Sequence, residues 1–97
     1  MTFNNIRLWA EKRGLLLKEN SFKQLAKLLE EAGETSSAII KNQPEKIKDG
    51  LGDCVVVLTI LAAQQGYKIE DCIEAAYNEI KDREGESVNG LFIKKEA

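Results

Sequence analysis

Two short acidic stretches hold the residues most able to do chemistry: Glu30-Glu31-Ala32-Gly33-Glu34 and Asp49-Gly50-Leu51-Gly52-Asp53. Glu31 and Glu34 are three apart and Asp49 and Asp53 four apart, so on a helix each pair shares one face about one turn apart. Two helices that bring such faces together would form a cage of carboxylates. Like charges that close repel one another unless a cation or protons neutralise them, and a divalent metal is the obvious candidate. The bland alternative is solvated helix surface, which is what a lone ExxE usually is. Against it, the second pair stands at the mouth of a wholly apolar helix, where an unpaired Asp53 would be costly.

The chemistry is further narrowed by what the chain lacks. It contains no histidine, which excludes Ser-His and Cys-His nucleophilic machinery and any His-ligated metal, and leaves oxygen-ligated ions such as Mg²⁺ or Mn²⁺. The net charge of −2 has both signs interspersed, so there is no basic footprint for nucleic acid. The longest uncharged run, residues 54–65, is too short to span a bilayer. The first residues lack the basic and apolar regions of a signal peptide. Cys54 and Cys72 form no CxxC pair and fall among apolar helical positions, which reads as two reduced, buried thiols in a cytoplasmic protein.

The elements that must position the carboxylates are helices. The 97 residues make one domain, 1–97, near the lower limit of what a single core stabilises. Thr2 can cap a first helix over about residues 3–13, with Phe3, Ile6, Trp9 and Ala10 on one stripe, and Gly14 ends it. Trp9 and Phe3 could stack on a base, although an aromatic stripe at this spacing is more often core. Ser21, with Gln24 as capping-box partner, opens a second helix to about Lys41. Its apolar stripe centres near Leu25 and Ala32 and leaves Glu31 and Glu34 on the flank, facing a cleft. Gly33 costs this helix about 1 kcal/mol relative to Ala, and its missing side chain would admit a close approach to the backbone.

Pro44 starts a third helix with Ile47, Leu51, Cys54, Leu58 and Leu61 as its stripe. Over residues 54–63 that helix is uncharged all round, which only a helix surrounded by partners tolerates. Val56 and Ile60 are therefore expected to meet another subunit, and a homo-oligomer follows. Gly66 stops the third helix, and a fourth runs over about residues 69–83. The tail through Ser87-Val88-Asn89-Gly90-Leu91-Phe92-Ile93 is either a strand-like arm or a loop laid over the bundle.

The ordered set Leu28-Leu29-Glu30-Glu31-Ala32-Gly33-Glu34, then Asp49-Gly50-Leu51-Gly52-Asp53-Cys54-Val55-Val56-Val57-Leu58, resembles the MazG-type all-α nucleoside triphosphate pyrophosphohydrolases. Their pattern is EExxE followed by ExxD at the start of an apolar helix. Ala76-Tyr77-Asn78-Glu79-Ile80-Lys81-Asp82-Arg83 and the tail beyond it look like the end of small stand-alone MazG-like proteins of phages and Gram-positive bacteria. The resemblance implies an all-α, four-helix MazG-like bundle completed by oligomerisation, with a short irregular C-terminal arm. It implies Mg²⁺-dependent hydrolysis of an NTP or dNTP between the α- and β-phosphates, giving a nucleoside monophosphate and pyrophosphate. Carried over, it makes Glu31, Glu34 and Asp53 metal ligands and gives Glu30 a supporting part, with Glu30 or Glu34 taking the proton of the attacking water. Asn78, Lys81 and Arg83 match positions that meet the triphosphate. The family's remaining ligand falls at Gly50, so Asp49 is left to substitute for it. That departure keeps open a non-catalytic helical oligomer that binds nucleotide or a protein partner.

Overall fold

The computed structural model describes residues 2–95. In it four helices, α1 (Thr2–Lys12), α2 (Ser21–Ile40), α3 (Pro44–Gln64) and α4 (Ile69–Ile80), precede a two-stranded hairpin of β1 (Gly85–Val88) and β2 (Leu91–Lys94). The expected helices are all present, and Pro44 opens α3 as its fixed φ favours. The fourth ends at Ile80 rather than near Arg83.

Helix ends follow from left-handed residues. Gly66 at φ +83° lets Tyr67 N donate to Ala62 O at 2.9 Å and Gly66 N to Ala63 O at 3.0 Å, a Schellman closure of α3. Asn42 at φ 54° does the same for α2, with Gln43 N reaching Ala38 O at 2.9 Å. The expected capping box does not form: α2 has no side-chain cap, and the Ser21 hydroxyl instead accepts a hydrogen bond from Gln65 Nε2 at 2.6 Å. The arm is a strand hairpin. Asn89 and Gly90, at φ 53° and 82°, supply the two positive φ angles of a type I′ turn and set Val88 opposite Leu91.

The core is the α2–α3 pair with α1 laid on α3. Ala10, Ala38, Val57 and Ile60 are its buried apolar residues. Two corrections to the helical stripes follow. On α2 the residues turned into the seam are Leu28, Glu31, Thr35 and Ala38, while Leu25, Leu29 and Ala32 are exposed. The apolar stripe therefore lies about a third of a turn from the packed face, because small and polar residues allow α3 to come close. On α3 the expected stripe residues Leu51 and Leu58 are exposed, and Ile60, expected to face another subunit, is only 3% exposed within this chain. Cys72 is likewise exposed rather than buried, and Cys54 half-buried.

Among the described residues α4 packs lightly, chiefly against α3. What fastens it is a bidentate pair: Arg7 Nη1 and Nη2 donate to Glu70 Oε1 and Oε2 at 2.6 and 2.7 Å. With α4 and the hairpin standing away from the other helices, the radius of gyration is 16.0 Å, against about 12–13 Å for a compact chain of this length.

Candidate functional site

Glu31 is the centre of the site because of where the seam runs. Its position between Leu28 and Thr35 takes the carboxylate into the α2–α3 contact, where it is 7% exposed. From α3, Asp53 comes against it one helical turn after Asp49. The Asp53 carboxyl is raised above the ordinary carboxylate range, first by burial, then by the charges of Asp49 and Glu31. Of the sequence-predicted ligands, Glu31, Glu34, Asp49 and Asp53 all line one cleft of about 380 Å³, together with Ser37, Ala38, Lys41, Gln43, Lys46 and Gly50.

Gly50 lies in the floor of that cleft for a steric reason. A Cβ there would collide with Thr35 Oγ1 and stand 3.1 Å from Thr35 Cβ. Thr35 is itself buried, its hydroxyl donating to Glu31 O at 2.8 Å. The close approach that Gly33 was expected to permit belongs to Gly50: nothing lies within 4 Å of a Cβ at Gly33.

Not every predicted residue joins the cluster. Glu30 is exposed and outside the cleft, within 3.7 Å of Lys27 Nζ. Asn78, Lys81 and Arg83 are exposed on or just after α4, and Arg83 pairs with Glu79 at 3.0 Å; none of the three lines the carboxylate cleft. Sequence reasoning missed three cations that sit with the carboxylates. Lys41 and Lys46 line the cleft, and Lys27 Nζ reaches Glu31 at 3.2 Å. Lys46 was legible, since it falls three and seven residues before Asp49 and Asp53 on the same face; Lys27 was legible as an i,i+4 partner of Glu31.

Chemically, the cleft presents oxygen donors with neighbouring ammonium groups, which suits a hard divalent cation and the phosphate oxygens that accompany it. Among the described residues, no three of the acidic side chains are gathered into a finished cation cage. An ion that retains several waters needs no such closed cage.

The sequence profile of the MazG nucleotide pyrophosphohydrolase domain matches residues 20–87, which takes in α2, the acidic cleft, α3, α4 and most of β1. The chain belongs to the MazG nucleotide pyrophosphohydrolase family. MazG enzymes are typically dependent on a divalent metal. The chain is also 52% identical, over 60 residues, to an uncharacterised 18.2 kDa protein from the rep–hol intergenic region of Haemophilus phage HP1 (strain HP1c1). That match covers 62% of this chain and 37% of the phage protein, so this MazG chain spans well under half the length of that relative. No solved structure matches it. Among the described residues, no helix is long and apolar enough to cross a membrane.

Proposed function

We propose that this chain, as a single domain over residues 1–97, is an Mg²⁺-dependent nucleoside triphosphate pyrophosphohydrolase of the cytoplasm, with Mn²⁺ as an alternative ion. It would cleave the α–β phosphoanhydride of an NTP or dNTP to a nucleoside monophosphate and pyrophosphate. The observation that carries this reading is Asp53, whose half-buried carboxyl is pushed up by desolvation and then by the charges of Asp49 and Glu31, in a cleft that also presents Lys41 and Lys46. A site that raises a carboxyl in this way is relieved by a cation.

Glu31, Glu34, Asp49 and Asp53 would hold the ion. When bound, it would orient the triphosphate, offset charge on the phosphoryl oxygens and lower the pKa of water. The chain's own part is charge placement. Lys41 and Lys46 neutralise phosphate oxygens at the rim, and Glu34, which lines the cleft, is better placed than Glu30 to take the proton of the attacking water.

The proposal includes a homo-oligomer. Phe22, Leu29 and Ile40 on α2 are 86%, 68% and 82% exposed, and Leu51 on α3 is 56% exposed. That is more apolar surface than a small monomer usually leaves to water. Association with a second copy would cover it, and would be the route by which Asn78, Lys81 and Arg83 approach the phosphates, since their own chain's cleft lacks them.

Incubation with a panel of NTPs and dNTPs and Mg²⁺, with pyrophosphate assayed, tests the reading; release from at least one of them is expected, and no turnover of any would refute it. Gly50, where a further ligand was expected, favours one competitor: a non-catalytic oligomer that binds nucleotide. It predicts calorimetric nucleotide binding with no pyrophosphate release.

A further inference from the structure

Helix α4 is held to the body of the chain at one end. Ile69 and Glu70, in its first turn, are half-buried, whereas every residue from Asp71 to Ile80 is exposed. Among the described residues, its main attachments are the turn over residues 65–68 and the fork from Arg7 of α1 to Glu70. We propose that Arg7 and Glu70 are positioning residues: their fork sets the angle at which α4 leaves the body, and so aims Lys81 and Arg83 at the triphosphate. The inference rests on the proposed hydrolase reading, which assigns those two cations, with Asn78, to the phosphates.

This contact differs from a solvated surface ion pair. The Arg7 and Glu70 side chains are 16% and 40% exposed, and the two residues are 63 positions apart in the chain. An exposed pair fixes little, because two long side chains must give up their freedom to hold one geometry. Here both oxygens of one carboxylate accept from both terminal nitrogens of one planar guanidinium, which fixes direction as well as distance. Each partner also has a firm seat. Arg7 stands on α1, which packs on α3 and buries Ala10 completely. Glu70 lies in the first turn of α4, where the positive end of the helix dipole favours a carboxylate.

Leverage gives this small contact its reach. At about 1.5 Å per residue, about 16 Å of helix separates Glu70 from Lys81. A tilt of about 10° at the first turn therefore moves Lys81 by about 3 Å, the length of a hydrogen bond to a phosphate oxygen. The exposed body of α4 has little packing to resist such a tilt. No residue of α4 lines the carboxylate cleft of its own chain, so in the proposed assembly its cations serve a second copy's cleft and depend on the helix angle. Arg7 and Glu70 do not line that cleft either; they act through α4.

A double-mutant cycle on the full chain in Mg²⁺, with pyrophosphate release read as KM and kcat, tests this role. Arg7→Gln and Glu70→Gln are each expected to raise KM roughly tenfold, with kcat changed less than about threefold. The double variant should match the single ones, because a fork lost from either side is lost once. Arg7→Lys, which keeps the charge and loses the fork, should share most of the rise in KM. Helical circular dichroism is expected to stay unchanged throughout. A parent-like KM in Glu70→Gln or Arg7→Lys would overturn this inference and leave the hydrolase reading standing. So would KM effects that add in the double variant, or a KM that returns to the parent value as protein concentration rises, which would mark the pair as a support for assembly. A parent chain that releases no pyrophosphate from any nucleotide would overturn the hydrolase reading, and this inference with it.

Discussion

Gly50 of α3 packs against the hydroxyl of Thr35 on α2 so closely that the two positions cannot both carry full side chains. Position 50 therefore cannot be filled by simple replacement. Gly50→Ala is expected to destabilise the protein by about 1–3 kcal/mol through overpacking. Thr35→Ala should recover part of that loss, giving a coupling of about 0.5–3 kcal/mol in a double-mutant cycle by urea denaturation. By the same reasoning Gly50→Glu is expected to gain no pyrophosphohydrolase activity over the parent while Thr35 is in place.

Asp53 is expected to be a stability liability kept for binding. Asp53→Asn removes a half-buried charge beside Asp49 and Glu31, so in the absence of metal it should raise the melting temperature by a few degrees, in line with about 4–8 °C per kcal/mol for a domain this size. The same variant should lose the upward shift that Mg²⁺ or Mn²⁺ gives the parent protein. Differential scanning fluorimetry with and without the ion reads both effects.

Glu34 and Glu30 should separate in kinetics. Glu34 lines the carboxylate cleft and Glu30 does not, so Glu34→Gln is expected to lower kcat by roughly a hundredfold or more and Glu30→Gln by no more than about threefold. A loss on Glu30→Gln equal to that on Glu34→Gln would reverse the assignment of the proton acceptor.

Acid should loosen α4 through Glu70. Its carboxyl is lowered to about 2, chiefly by the hydrogen bonds from Arg7. A depressed carboxylate contributes stability above its unfolded value, near 4.5, and that contribution fades as pH falls from there towards 2. The melting-temperature gap between the parent and Glu70→Gln should be open at pH 6 and close across that window.

Leu29→Lys, at an exposed apolar position of α2, should weaken self-association without unfolding the chain. Sedimentation velocity is expected to show a smaller species at a concentration where the parent is associated, with helical circular dichroism unchanged.

Much of this was readable from residue order. Pro44, Gly66 and Asn89-Gly90 act through local backbone geometry, so the helix starts, stops and turn they dictate follow from sequence alone. The acidic cleft was legible as well, because spacing puts Asp49 and Asp53 on one face whatever packs against it. What periodicity could not supply was which face of α2 packs within the chain. The apolar stripe at Leu25, Leu29 and Ala32 is the stronger signal, yet the intrachain seam is the weaker one through Thr35 and Ala38, since close packing rewards small side chains and not hydrophobicity alone. The contact between Thr35 and Gly50 was invisible for the same reason: it depends on distance between helices.

The fastening of α4 by Arg7 and Glu70 gives the two ends of the molecule opposite responses to ionic strength. Added salt screens a partly exposed ion pair, while salts such as sulfate strengthen the burial that holds α1 to α3 together. Concentrated sulfate would therefore firm the three-helix body and release α4 from it, and amide exchange would show the last helix opening as a unit of its own.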